Sequence, residues 1–419
     1  MGWKRGTLVA LAVLVLAPAL LVAATVGWLQ TTTGKRQLVD LIESQAAGPE
    51  FSLEIGAIEG SPPFDMALRD LAVADADGVW LRLDRATLDW TPLSLLRGVV
   101  DIRQLALGTL AVDRLPATAE PAEDAGGFPT LPVALRVERM VAERIDLGAP
   151  VLGAPVGIAV EGSARLDDIA DGLDVTLAAR RIDGTPGDGR LTLLYRPEDD
   201  RLTVDLALGE PEGGIVARAL ALPGLPPVAA TLAGDGPLDG WRGRLTAQAG
   251  GLVDAAIDLS VDDAGDSRRL GLTGRVVVDG LLDDATGPLL AGGLDLTATV
   301  LLRPGGDVEA ETLQIAAPAG ALVVEGVFDP GDNSLDATAR FALGAPAAYA
   351  GIAPGAGWSD AAVEARVSGR LARPTIGITL RAAHLALAGL AADRVGATLE
   401  LTASRGWDRP QPLAGSGTL

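Results

Sequence analysis

The sequence predicts a mainly β protein in which an N-terminal transmembrane helix is followed by a long antiparallel β-meander. Three observations carry this. From Gly6 to Gly34 there is no charged residue. Beyond about residue 50, apolar residues alternate with polar ones, the pattern of strands with one apolar and one polar face. Between the alternating stretches lie clusters of Asp, Gly and Pro that read as hairpin turns.

The stretch Thr7 to Leu29 is almost entirely Leu, Val and Ala. At about 1.5 Å per residue it covers roughly 35 Å, enough for a hydrocarbon core of about 30 Å. Lys4 and Arg5 precede it, which places the amino terminus in the cytoplasm. Trp3 and Trp28 flank it as interfacial anchors, and Pro18 is tolerated at the cost of a kink. A cleaved signal peptide is the competing reading, with small residues at Ala17-Pro18-Ala19 and Val22-Ala23-Ala24. After the span, residues 31–49 read as a juxtamembrane helix. Thr33 is its N-cap, Leu38, Leu41 and Ile42 form one face, and Gly48-Pro49 stops it.

In the body, Leu81 and Leu83 alternate with Arg82 and Asp84, and Leu173, Val175 and Leu177 alternate with Asp174 and Thr176. The same holds for Leu202, Val204, Leu206 and Leu208, for Leu294, Leu296, Ala298, Val300 and Leu302, and for Ile376, Ile378 and Leu380. Turns are expected at 75–78, 183–184, 197–200, 262–266 and 329–333. No helix-period segment of useful length recurs among them. A sandwich, a closed barrel or an elongated sheet curled into a trough would each bury the apolar face. Only 3% of residues are aromatic, and the chain has 53 Gly and 27 Pro, which favours a narrow or open interior over a thick core. Leu173, Val175, Leu177, Leu202, Val204, Leu206, Leu294, Leu296, Val300, Ile376 and Ile378 are the candidate lining. So long an apolar surface has a physical reason to exist if it meets lipid.

With 55 acidic and 34 basic side chains the formal charge is −21, which disfavours binding to a phosphate backbone, so no nucleic-acid partner is expected. The chain has no cysteine and a single histidine, His384. That excludes disulfides, thiolate metal sites, iron–sulfur clusters, a cysteine nucleophile and a histidine metal cluster. An apolar fraction of 48% argues against disorder.

The segment Ile55 to Arg114 carries a family signal. Ile58-Glu59-Gly60-Ser61 is followed by amphipathic strands at Leu68 to Val73 and Trp80 to Leu83. Then come Leu88-Asp89-Trp90-Thr91-Pro92-Leu93-Ser94-Leu95-Leu96-Arg97-Gly98 and the run Ile102, Leu105, Leu107, Leu110 and Val112. With the apolar amino terminus, this resembles the start of the translocation and assembly module TamB family, within the wider AsmA-like group. Thr91 and Pro92 open a short helix, Gly98 stops it, and its leucines are expected to turn an apolar side towards the sheet and plug its end.

The resemblance implies an elongated sheet curled into a U-shaped, taco-like apolar groove. It implies a single-pass inner-membrane protein with most of its chain in the periplasm, carrying phospholipid towards the outer membrane. It further implies an outer-membrane assembly-factor barrel as partner and a part in outer-membrane protein assembly or secretion. The expected organisation is an anchor at 1–30, a juxtamembrane helix at 31–49, a membrane-proximal cap at 50–115 and groove repeats at 116–419. Family members are far longer, so the chain is expected to be the membrane-proximal part of a longer protein, without the region that meets the barrel.

Chemistry is not expected, and neither is a cofactor. No G-x-S-x-G elbow, P-loop or H-E-x-x-H occurs. His384 reads as a surface histidine opposite Leu385 and Leu387. Asp329, Asp332, Asn333 and Asp336 lack the order of a calcium loop and read as a solvated turn. Asp167 with Asp168, and Asp199 with Asp200, are adjacent residues that would face opposite ways on a strand. Trp241, Trp358 and Trp407 read as platforms over sheet ends. Two other classes stay open: a structural or secreted β-solenoid of the adhesin type with a dry core, and a periplasmic hydrolase built on His384.

Overall fold

A computed structural model of the chain describes residues 27–46, 48, 51–116, 134–166, 172–278, 280–387, 390–402 and 414–418. The chain divides into two compact units, Met1–Leu193 and Leu194–Leu419. Both are mainly β and mostly antiparallel.

The first unit holds β1 (Ser52–Ser61), β2 (Asp65–Asp75), β3 (Gly78–Trp90), β4 (Val99–Val112), β5 (Ala134–Leu147), β6 (Val156–Leu166) and β7 (Leu173–Arg181); the boundary falls inside β8 (Asp188–Arg196). Each of β1 to β6 pairs with the next, antiparallel except for β4 with β5. That parallel pair departs from the expected pure meander. Parallel neighbours need a long crossover, and the stretch between Val112 and Ala134 is long enough to supply one.

Strand β5 carries two irregularities, one between Val137 and Met140 and one between Ala142 and Ile145. Each is a Glu-Arg pair set against a single residue of β6, while Arg139 and Arg144 stay in register with Gln104 and Thr109 of β4. Val137, Met140, Ala142, Ile145 and Leu147 therefore share one face although their spacing is not two.

Ahead of the sheet, helix α1 (Thr32–Ala46) lies along β1. The Glu43 carboxylate accepts the Ile55 N–H at 2.7 Å, and Lys35 donates to the Gly60 carbonyl at 2.6 Å. These contacts occupy the outer edge of β1, which would otherwise be open to strand addition. Leu38 and Ile42 are half-buried, as is Val39, whereas Leu41 points outward, so the apolar stripe differs from the expected one.

The short helix of the family-like segment, Pro92–Arg97, forms where expected and ends on Gly98 in the left-handed conformation (φ 74°). Its orientation is not the expected one. Leu93 and Leu95 are 66% and 45% exposed, and Ser94, at 1%, is the residue turned inward. In a turn of three residues only every third side chain faces the sheet, so neighbouring leucines cannot both do so.

No helix among the described residues is long and apolar enough to cross a membrane. This overturns the expected transmembrane helix and, with it, the single-pass inner-membrane localisation. α1 carries Lys35, Arg36, Asp40 and Glu43 within its 15 residues and cannot take that role. Residues 1–26, with Trp3 and most of the apolar stretch, lie outside the described residues.

The second unit is a longer run: β9 (Arg201–Glu210), β10 (Val228–Pro237), β11 (Gly240–Ala249), β12 (Val253–Ala264), β13 (Ser267–Val278), β14 (Leu294–Leu302), β15 (Val308–Ala317), β16 (Gly320–Asp329) and β17 (Ser334–Leu343). It continues through β18 (Gly357–Ser359), β19 (Ala362–Arg370), β20 (Thr375–Leu387), β21 (Leu390–Thr402) and β22 (Ala414–Thr418). Successive strands pair antiparallel throughout, except that the three-residue β18 lies beside β20 and lets β17 meet β19. In this unit β22 pairs with β21 alone, and in the first β1 pairs with β2 alone, so neither run closes on itself among the described residues.

Turns join the strands at Pro197–Asp200, as the sequence indicates, and at 330–333, where Asp329 is still the last residue of β16. In the 262–266 cluster, Asp262, Asp263 and Ala264 still belong to β12 and only Gly265 and Asp266 turn. A small apolar cluster, Ala217, Val228 and Ala249 with Leu222 and Leu225 against it, fills one strand end.

Candidate functional site

The register of the second unit aligns its apolar residues into rows that run across the strands. Leu206 faces Leu232 and Leu232 faces Leu245. The row continues through Ile257, Gly274, Leu296, Ile315, Leu322, Phe341, Val363, Leu380 and Ala397, one residue from each of twelve strands. None of its members is charged or polar. Val204 starts a parallel row that passes Leu259, Leu272, Leu313 and Ile378. Trp241, Val261, Leu270, Val300 and Ile376 belong to another, and Leu208, Ala255, Val276 and Leu294 to a fourth.

Of the candidate lining residues, Leu202, Val204, Leu206, Leu294, Leu296, Val300, Ile376 and Ile378 thus share the apolar face of the second unit. Leu173, Val175 and Leu177 lie on the corresponding face of the first, opposite Leu166, Ala164 and Gly162. Trp28 is exposed.

This face is not sealed. Every member of the Leu206 row is half-buried. Among the described residues fourteen hydrophobic side chains are buried, and seven of them are alanines. A closed sandwich core would bury its Leu, Ile and Val instead.

The opposite face carries the charge. Arg244 meets Asp258 across β11 and β12 at 2.7 Å, and Arg340 meets Glu364 across β17 and β19 at 3.2 Å. Arg269 holds Glu311 at 3.0 Å, and Arg201 pairs with Asp235. The guanidinium beside each of Asp258, Glu311 and Asp235 holds its carboxyl below the usual range. Each such pair is neutral, so this face meets water through matched cross-strand pairs.

Trp241 is the large exception to the open face. At 6% exposure it lies flat over Gly234 and Gly243, where an added Cβ would come within 2.1 and 2.4 Å of its ring. Its Nε1 donates to the Leu202 carbonyl at 3.0 Å. The indole therefore sits within the face and not over a sheet end. Trp358 does lie at strand ends, with Nε1 bonded to the Gly344 carbonyl at 2.9 Å and its ring edge-on to Tyr349. Trp407 lies outside the described residues.

Two charges on the apolar side escaped the sequence reading. Glu210, at the end of β9, is buried, and its carboxylate accepts the Val216 N–H at 2.8 Å, holding the short helix Ile215–Ala219 against the strand end. Arg181, the last residue of β7, faces inward beside Asp183. The only hint in the sequence is a charge at the inward position of an otherwise alternating strand.

His384 is exposed, with Nδ1 2.8 Å from Asp393 on the neighbouring strand. Asp329 accepts the amides of Gly331 and Asp332 at 2.8 and 3.1 Å, and Asp200 accepts the Tyr195 hydroxyl at 2.7 Å. Asp167 and Asp168 lie outside the described residues. No group of three or more His, Asp or Glu is gathered as a metal site among the described residues.

Fold and face together define a class: a mainly β protein whose mostly antiparallel strands present one aliphatic, partly open face and one ion-paired face. Comparison with protein-family models, curated proteins and solved structures returns no match to this chain.

Proposed function

We propose that the chain binds and conveys the acyl chains of phospholipids along its aliphatic face, as a lipid-carrying protein resembling the TamB and AsmA-like group. The observation that supports this is the uninterrupted Leu206 row, twelve strands wide, uncharged and half-exposed throughout. Covering such a surface with hydrocarbon is favourable by about 0.8 kcal/mol per methylene withdrawn from water. Because neighbouring positions are chemically alike, a chain sliding along it meets no deep trap. The action is passive, without bond making or breaking.

In its finer form the proposal has the sheet curl into a U-shaped groove with headgroups held at the rim. Delivery towards an outer membrane, and a barrel partner there, belong to the same reading and are supported by the resemblance of Ile55 to Arg114 alone. The solenoid alternative calls for a dry interior, and the half-buried Leu and Val do not favour it.

The test is lipid extraction and mass spectrometry on the purified full chain. The unaltered protein is expected to carry phospholipid. Val204→Asp combined with Leu206→Asp places two charges on the face and is expected to cut the bound lipid at least tenfold while the far-ultraviolet β signal persists. A well-folded double variant with the full lipid load would sink the proposal.

A further inference from the structure

The apolar face of the first unit ends on a charge. From Leu83 the row crosses to Leu110, Ile145 and Ile158, and the next residue in register is Arg181. Its side chain is only 7% exposed. Nε and Nη2 grip the two oxygens of Asp183 at 3.2 and 2.6 Å, and Asp183 also accepts the amides of Gly157 and Thr185. Burial pushes the Asp183 carboxyl up, but Arg181 and the two amides outweigh it and hold the group below the usual carboxylate range.

The pair leaves one group over: Nη1 is buried and has no acceptor among the protein's atoms. An orphaned buried donor is costly, more so on a charged group, so the site is poised to take an acceptor oxygen. Asp183 also borders a cavity of about 270 Å³ at the strand ends, which Arg144, Asp146 and Asp113 help to line. Those charges are matched, Arg144 with Asp146 at 2.8 Å and Asp113 with Arg82. Balanced surroundings offer no net attraction to a ligand of large net charge and suit one that carries both signs. From β7 back to β3 the row spans four interstrand steps of about 4.8 Å, roughly 19 Å. One leaflet of hydrocarbon is about 15 Å deep, so an entire acyl chain fits along the row.

We propose that Arg181 receives a phosphate oxygen of a zwitterionic amphiphile whose acyl chain lies along Ile158 and Ile145. The inference rests on the lipid-carrying reading and adds to it a headgroup contact and a fixed end for the chain.

The full chain is titrated, below micellar concentrations, with lysophosphatidylethanolamine, with a monoacylglycerol of the same acyl chain and with inorganic phosphate. The unaltered protein is expected to prefer the lysophospholipid over the monoacylglycerol at least tenfold and to bind phosphate far more weakly. Arg181→Gln is expected to erase the preference while leaving the monoacylglycerol affinity within about twofold. Asp183→Asn, which frees more of the guanidinium, is expected to increase it, a gain that misfolding cannot produce. Equal binding of the two amphiphiles, a preference that survives Arg181→Gln, or phosphate binding as tight as lysophospholipid binding would each overturn the role of Arg181. Failure of both amphiphiles to bind would instead remove the lipid-carrying reading itself.

Discussion

The ion pairs Arg244–Asp258 and Arg181–Asp183 are made of the same two residue types, yet they sit on opposite kinds of surface. The first lies on the polar face of its sheet, with side chains 67% and 60% exposed. The second stands where an apolar row ends, with Arg181 almost wholly withdrawn from water. Solvent screens the exposed pair, and the entropy of holding two long side chains together offsets much of what remains. The buried pair has given up hydration and depends on complete partnering. Charge on the polar face therefore serves solubility in bulk, whereas charge on the apolar face has to be explained residue by residue.

Three perturbations sharpen this contrast. The largest effect is expected on the apolar face itself: Trp241→Ala uncovers Gly234 and Gly243, removes a buried indole and strands the Leu202 carbonyl. It should cost about 3–5 kcal/mol, read as a lower denaturant midpoint of the second unit. A smaller effect belongs to Asp183. Its folded carboxyl is held below its ordinary value, so its contribution is complete above about pH 4. It fades as acid protonates first the unfolded and then the folded state. Thermal unfolding followed from pH 5 downward should show this loss, and Arg181→Gln, which removes a cause of the depression, should flatten it. The smallest effect is expected from Arg244→Ala, which should leave the unfolding midpoint unchanged within error. A clear loss of stability there would mean that the polar face also depends on individual pairs.

Much of the fold was legible because β7, β9, β14 and the first half of β20 alternate, and the eleven candidate lining residues followed from that alternation alone. Strand β5 was not legible. Its inward residues fall at intervals of three, two, three and two because Glu138-Arg139 and Glu143-Arg144 are each two residues set against one on β6, and no fixed period describes such a strand. The short turn at Thr91 to Gly98 was readable from its Pro and Gly, but its facing was not, since composition does not say which of Leu93, Ser94 and Leu95 points inward. Arg181 was hidden for a different reason. A charged residue at a strand end ordinarily marks the solvent boundary, and only the pairing with Ile158 reveals that this one is turned in.

The parallel pairing of β4 with β5 also bears on the order in which the molecule can assemble. An antiparallel neighbour is brought into place by a turn of a few residues, so most of the chain can form pair by pair with little loop entropy to overcome. β4 and β5 run in the same direction, so their first hydrogen bond closes a far longer loop than a hairpin does. Seven of the strands thus include a single long-range closure, while the run from β9 onward can grow from either neighbour as a zipper does.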